Sequence, residues 1–224
     1  MLGDTGKYFH LPNADLLPER ASTLELLNRA RVGRFHTDLA GYHSWLVDPI
    51  KREETSWQGQ SEVGGKPVVH NVNAEAGRLW GIEGGLGADI GWGLSSSAHA
   101  TYTWGQELVS DGGDVPLSRI PPLFGTWKLR YDAYDRKLRA FVEAYVRAAA
   151  AQARLSPEDQ ADSRIPDGGT PGWATLNFRM GMGVYKQTRL TLGVENLLDA
   201  EYRYHGSGIY APGTNIQAAL EASF

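Results

Sequence analysis

No cysteine occurs in the 224 residues, which removes disulfides, thiolate metal sites and cysteine nucleophiles together. Long hydrophobic runs are missing too. No apolar stretch approaches the ~20 residues that a membrane helix needs, and mean hydropathy is −0.37. Neither sign of charge dominates: 22 Lys and Arg stand against 26 Asp and Glu, a formal net charge of −4, so nothing points to nucleic acid as a partner. The stretch Met1-Leu2-Gly3-Asp4-Thr5-Gly6 has no basic region, apolar segment or small-residue cleavage site, so a signal peptide is not expected within it. An exported protein with this sequence is expected to be part of a longer one.

What is abundant leans towards strands. Seven Trp, ten Tyr and 27 Gly suit a β-rich chain with large interfacial surfaces. Candidate strands follow one another near Ser22–Asn28, Arg34–Asp48, Asn73–Gly87, Trp92–Gln106, Gly125–Tyr131, Lys137–Ala150, Trp173–Val184, Thr188–Asn196 and Thr214–Phe224. Short turns at Arg29–Gly33, Ala88–Gly91, Asp132–Arg136 and Tyr185–Gln187 alternate with long polar loops at Pro49–Val72, Glu107–Phe124, Ala151–Gly172 and Leu197–Gly213. That alternation predicts an up-and-down antiparallel meander with one plain end and one elaborated end. Outer-membrane barrels keep their short turns in the periplasm, which places the C-terminus on that side. A transmembrane barrel also passes as soluble on hydropathy, because its strands are only half apolar.

The faces separate strand by strand. Trp127, Leu129 and Tyr131 oppose Lys128, Arg130 and Asp132, while Phe178, Met180, Met182 and Val184 oppose Asn177 and Arg179. Leu94, Ala98, Ala100, Tyr102 and Trp104 oppose Ser95, Ser97, His99, Thr101 and Thr103. Aromatics gather near the ends of the apolar faces, as in an interfacial girdle. Two places resist. Lys137–Ala150 alternates, with Leu138, Ala140, Val142, Ala144 and Val146 on one side. Its Leu138, Phe141, Val142, Tyr145, Val146 and Ala149 also fit an amphipathic helix; the strands on both sides predict strand. Arg78 shares parity with Trp80 and Ile82 on the face expected to meet lipid.

Catalytic patterns are missing. His10, His36, His43, His70, His99 and His205 show no H-E-x-x-H and no paired metal spacing. Ser22, Ser118 and Ser207 lie outside any G-x-S-x-G context. Gly84-Gly85-Leu86-Gly87 fails the G-x-G-x-x-G pattern because Ile90 stands where the third glycine belongs; these glycines read as room for close packing in a curved strand. Glu53-Glu54 and Asp159/Asp162 read as solvated loop carboxylates. The expectation is a protein that is not an enzyme and carries no cofactor.

The last 37 residues are the most particular. Ile216, Ala218, Leu220, Ala222 and Phe224 alternate with Gln217, Glu221 and Ser223, and the chain ends on an aromatic residue. Before them stand Val194-Glu195-Asn196-Leu197-Leu198-Asp199 and Tyr202-Arg203-Tyr204-His205-Gly206-Ser207-Gly208-Ile209. This combination resembles the closing segment of TonB-dependent outer-membrane receptors, and the likeness extends upstream. Asn13-Ala14-Asp15-Leu16-Leu17-Pro18-Glu19 resembles their NP-(N/D)-L-x-PE segment without its proline, and Leu117-Ser118-Arg119-Ile120-Pro121 resembles their L-x-x-(I/A)-P strand entry.

The resemblance implies a fold and a role. The fold is all-β, an antiparallel up-and-down transmembrane β-barrel in part, with residues 1–224 as about nine C-terminal strands of a larger barrel. Family barrels have 22 strands around an N-terminal plug; plug, TonB box and signal peptide are expected to lie outside this chain. The implied activity is that of part of an outer-membrane receptor for TonB-dependent uptake of a siderophore, haem, cobalamin or similar scarce nutrient. A soluble β-sandwich binding module and a non-functional receptor fragment are the alternatives. Implied partners are outer-membrane lipid and lipopolysaccharide, the plug and remaining strands, the TonB complex, and the barrel-assembly machinery that reads Phe224. Lumen-facing Lys128, Arg130, Arg139, Glu143, Arg147, Arg179 and Glu195 would bond to the plug. His10, Tyr202, Tyr204, His205 and Tyr210 are the candidate ligand contacts in the outer loops.

Overall fold

The computed structural model describes residues 3–4, 7–109, 113–133, 138–185 and 187–223. Fifteen strands are present among them. At the N-terminus lie β1 (Gly3–Asp4), β2 (Phe9–Leu11), β3 (Arg20–Val32), β4 (Phe35–Val47), β5 (Ile50–Glu54), β6 (Glu62–Val63) and β7 (Lys66–Asn73). There follow β8 (Ala76–Gly91), β9 (Leu94–Leu108), β10 (Val115–Pro116), β11 (Phe124–Asp132), β12 (Phe141–Ala149), β13 (Trp173–Tyr185), β14 (Thr188–Glu195) and β15 (Asn215–Ala222), with one short helix, α1 (Pro157–Gln160).

Nine of these strands form one wall in the order β15-β14-β13-β12-β11-β9-β8-β4-β3, every neighbour antiparallel. All nine candidate strands of the sequence are therefore present, each within a few residues of its expected bounds. The ambiguous Lys137–Ala150 stretch is strand over Phe141–Ala149 (Lys137 itself lies outside the described residues). Nine register pairs to β11 and nine to β13 fix it; those two ladders outweigh the helical periodicity. Both β3 and β15 pair on one side only, so the wall is open at two edges.

Parity decides what each face meets. On the convex face, large apolar side chains such as Leu26, Phe35, Ile82, Trp127, Met180 and Leu220 are exposed. No second layer covers them among the described residues, which removes the sandwich alternative. The concave face is buried and polar: Glu143, Thr175, Asn177 and Ser44 are all buried. This inversion is what a sheet between lipid and a polar interior requires. Arg179 Nη2 reaches Glu143 Oε1 at 2.8 Å, and Arg130 and Lys128 stand at 3.5 and 3.6 Å from Oε2. Arg139 departs from the expected lumen set, since it precedes β12 with a φ of 42° in the turn. The glycines of β8 give the room expected of them: a Cβ at Gly87 would overlap the His36 ring lying across it, and one at Gly85 would meet the Asp38 carboxylate.

The long connections gather at one end, and they are not plain loops. The Pro49–Val72 connection folds into β5, β6 and β7, which join β1 and β2 in a second, five-stranded sheet. Strand β2 pairs in parallel with β7, around the buried Val68 and Val69. Gly64 and Gly65, with φ of 60° and 74°, make the tight β6–β7 turn. The Asn13–Glu19 segment is clamped beside it: Asn13 Nδ2 donates to Asn71 O at 3.0 Å, Leu17 N to Asn73 Oδ1 at 2.7 Å, and Ile50 N to Glu19 Oε2 at 2.9 Å. The Glu107–Phe124 connection contributes β10 and the Ala151–Gly172 connection contributes α1. At the opposite end β3 joins β4 and β8 joins β9 through short turns, and β15 ends beside Thr188. The turns expected at 132–136 and 185–187 lie in part outside the described residues. Phe224 lies outside the described residues.

Candidate functional site

The Asn196-Leu197-Leu198-Asp199 turn sets the geometry of the elaborated end. Asn196 and Asp199 adopt φ of 51° and 53°, a conformation that asparagine and aspartate tolerate better than most residues. Buried Asn196 is a hub. Its amide N donates to Asn177 Oδ1 at 2.9 Å, its side-chain Nδ2 donates to Ala200 O at 2.9 Å, and its Oδ1 accepts from Ala200 N at 2.9 Å. Asp199 Oδ1 accepts from Thr214 N at 2.9 Å, which fixes the start of β15. The Leu197–Gly213 loop is thus pinned at both ends and held over the top of β12 and β13.

On that loop, Tyr202 and Tyr204 meet Trp173, the first residue of β13. Ring centroids are 4.3 Å apart for Trp173–Tyr202, 5.3 Å and nearly perpendicular for Trp173–Tyr204, and 5.8 Å for Tyr202–Tyr204. Arg147 Nη2 donates to the Tyr204 hydroxyl at 2.7 Å. Burial, and then Tyr204, push the Tyr202 hydroxyl above its ordinary range. A cleft of about 290 Å³ opens beside the cluster between Arg119, Phe124, Arg147, Trp173, Tyr204 and His205. Its lining combines π faces with two guanidinium groups, a chemistry that favours flat or anionic ligands.

His205 sits beneath the cleft. Its side chain is only 4% exposed; Nδ1 shares a hydrogen bond with Thr170 Oγ1 at 2.9 Å, and Nε2 has no hydrogen-bond partner. Asp159 Oδ2 stands 3.9 Å from that Nε2. Desolvation holds the His205 imidazole below its ordinary pKa, with Asp159 opposing and Arg119 adding to the shift. Asp159 is buried rather than solvated as the sequence suggested. It accepts from Arg119 N at 3.1 Å, while its own amide donates to Ser156 Oγ at 3.0 Å as the cap of α1. Asp162 is likewise tied down, by a fork from Arg164 (2.7 and 3.0 Å) and by the Arg119 guanidinium. Arg164 first, then Arg119, hold its carboxyl far below the usual range. Three connections, at 117–123, 151–172 and 197–213, are thereby locked into one rim.

Of the five candidate contacts, Tyr202, Tyr204 and His205 are brought together. Tyr210 belongs to the same loop but pairs with Arg203, whose Nη2 donates to its hydroxyl at 2.7 Å and whose guanidinium lies 4.3 Å over its ring. His10 is apart from all of these, in β2 of the second sheet, where Nε2 meets Asn71 Oδ1 at 3.2 Å. Sequence reasoning missed Trp173 as a site residue and placed Arg147 only in the lumen. Nothing local marks either, since both are ordinary residues of alternating strands. Among the described residues, no three His, Asp or Glu side chains converge as metal ligands would.

This geometry matches known proteins. The family model described as TonB dependent receptor-like, beta-barrel matches residues 2–197. The copper transporter OprC superposes with a TM-score of 0.76 at 21% identity over 94% of this chain and 32% of its own. The siderophore receptor PirA from Acinetobacter baumannii superposes with a TM-score of 0.66 at 21% identity over 97% of this chain and 33% of its own. For the FrpB iron transporter from Neisseria meningitidis the values are 0.67, 14%, 95% and 32%. At these identities the likeness is one of fold, and the chain spans about a third of the length of each. No curated protein sequence matches it. With an open antiparallel wall, an inverted pattern of burial and a family match across most of its length, the chain belongs to the TonB-dependent receptor β-barrel family.

Proposed function

We propose that this chain forms the C-terminal part of the barrel of an outer-membrane receptor, and that the receptor imports a scarce nutrient chelate by TonB-dependent active transport. The named relatives transport copper, iron and siderophores; by analogy the cargo here is a metal chelate, with haem and cobalamin in the same class. The observation that carries the reading is the Trp173–Tyr202–Tyr204 cluster with Arg147 and Arg119, set at the elaborated end directly above a polar concave wall. A ligand captured there would stack on the rings and place its acidic groups against the guanidiniums. The concave cations Lys128, Arg130 and Arg179, gathered on buried Glu143, would bond to a plug. A TonB complex would act through the plug, and Phe224 would serve the assembly machinery. Tyr210 and His10 would act as outlying contacts.

The test uses the complete receptor in detergent, titrated with ferric catecholate, ferric hydroxamate, haem and cyanocobalamin while tryptophan fluorescence is followed. One of these should bind, and Trp173→Ala and Tyr204→Ala should each weaken it by about tenfold, the scale of one aromatic contact. Binding indifferent to both substitutions would remove the site. No binding of any of the four would remove the proposed cargo class.

A further inference from the structure

The outward face of the wall carries a recess where β3, β4, β8 and β9 lie side by side. It encloses about 470 Å³ between Asn28, Thr37 and Leu39 and a floor of Gly84, Ala98 and Ala100. Register runs straight across it: Asn28 is opposite Leu39, Leu39 opposite Gly84, and Gly84 opposite Ala100. Nothing inside the protein requires the floor to be so low. A Cβ at Gly84 would come no nearer than 3.8 Å to Leu39 Cδ1, and one at Gly41, outward on β4, no nearer than 3.9 Å to Gly81 O. Both are ordinary contacts, unlike the overlaps at concave Gly85 and Gly87. Glycine weakens a strand, and its use on such a surface is to admit another backbone.

Asn28 is a second, independent sign. It is exposed on the outward face, and its side-chain amide makes no hydrogen bond among the described residues. It lies four residues from the Val32 end of β3, roughly 13 Å along the strand and inside an apolar belt of about 25 Å. Hydrocarbon gives an amide no partner, and polar side chains at such depth face protein. An acyl chain filling the recess would leave Asn28 unpaired; a polypeptide would not.

We propose that this face joins two copies of the receptor across a two-fold axis along the membrane normal. Such an axis keeps every residue at its depth, and the depths match. Leu26 projects from β3 at 78% exposure, six residues above Val32 at the plain end, while Ala100 stands six above Leu94 and Gly84 seven above Gly91. Asn28 and Ala98 are each four above the same ends of β3 and β9. The Leu26–Asn28 ridge of one copy therefore meets the Gly84, Ala98 and Ala100 recess of the other, and the reverse contact is identical. The leucine fills the recess. The amide of Asn28 donates to carbonyl oxygens that the small floor residues leave uncovered. The pairing depends on the lipid-facing wall alone and not on the cargo.

The experiment is disulfide trapping of the complete receptor in outer membranes. These 224 residues hold no cysteine; any cysteine elsewhere in the receptor is replaced by serine. Leu26→Cys with Ala98→Cys should yield a dimer on non-reducing gels after mild oxidation. The two positions lie three strands apart in one copy, about 14 Å, beyond the reach of an internal bridge. Leu26→Cys with Met180→Cys, outward on β13, should yield no dimer. Adding Asn28→Leu to the first pair should lower trapped dimer by about threefold to tenfold, while the barrel resists heat no less. No dimer from the first pair, or equal dimer from both pairs, would overturn the interface. Trapping of a different outer-membrane protein by Ala98→Cys would overturn the second copy as occupant. Unchanged trapping with Asn28→Leu would overturn the role of the amide; a loss of heat resistance alongside it would assign Asn28 to the strand beyond β3 in its own barrel.

Discussion

The wall and the rim of this molecule are built on opposite principles. In the wall, each residue's environment is set by its parity. Trp127 and Tyr131 are exposed on the convex face, while Glu143, opposite Arg130 on the neighbouring strand, is 2% exposed. In the rim, parity means nothing, and the side chains that matter are held by partners far away in sequence, such as Asp159 by Arg119 N and His205 by Thr170. The wall is a repetitive solution to a solvent boundary. The rim is a set of particular polar contacts, and only particular contacts can be selective. Breaking each region should therefore produce different failures.

The largest effect is expected on the wall. Met180 lies midway along β13 on the convex face, exposed and opposite Val142 and Leu192. Met180→Arg should cost about 2–4 kcal/mol of folding stability in lipid, the scale for arginine near the midplane. Arginine at Gln217, two strands further on in β15 and inward, should cost far less. Urea unfolding in liposomes or heat-modifiable migration on gels reads both. Equal costs at the two positions would mean that the faces are misassigned.

A smaller effect should separate rim from wall. Asn196 serves both, because its amide bonds β13 through Asn177 while its side chain holds Ala200 and Pro212. Asn196→Ala should cost roughly 1–3 kcal/mol, the range for stranding buried backbone groups. It should also raise proteolysis within 199–211 while the wall stays folded. If whole-barrel unfolding and loop cleavage rise together, the rim has no independent stability and the contrast drawn above is too sharp.

These contrasts also explain which parts of the molecule were legible in its sequence. The faces follow from period-2 alternation, and the strand order and the end on which the connections gather from the alternation of short turns with long loops; both signals are local. Phe141–Ala149 was ambiguous because its apolar residues satisfy two periods at once, and only the ladders to β11 and β13 decide. The rim was legible in part. Tyr202 and Tyr204 stood out by composition, yet Trp173 did not, and Asp159 read as a solvated carboxylate. Its burial depends on Arg119, 40 residues away, and on the cap at Ser156, and no local pattern encodes such a meeting. The second sheet was missed for the same reason, since β2 pairs with β7 across more than fifty residues.

The smallest expected effect is a pH dependence confined to the rim. His205 is buried, and burial lowers its pKa from the ordinary 6.5. The groups facing it are Asp159, Arg119 and Thr170. Asp162, the other acid of the network, is held ionised far below this window by Arg164 and Arg119. The sign follows from proton counting. When the rim opens, the imidazole regains its ordinary pKa, so between the folded value and 6.5 the open form binds more protons than the closed one. Closure is therefore undiminished by this group above pH 6.5 and weakens as pH falls through the window. Amide-exchange protection of residues 199–209, corrected for intrinsic rates, should drop by roughly two- to fivefold between pH 7.5 and 5.5. Amides of β12 and β13 should keep theirs. His205→Gln should flatten the profile while leaving the protein folded. Greater protection at pH 5.5 would show that the protonated ring closes the 3.9 Å gap to Asp159 and that the ion pair outweighs the cost of burying its charge, making the rim an acid-tightened clamp instead of an acid-loosened one.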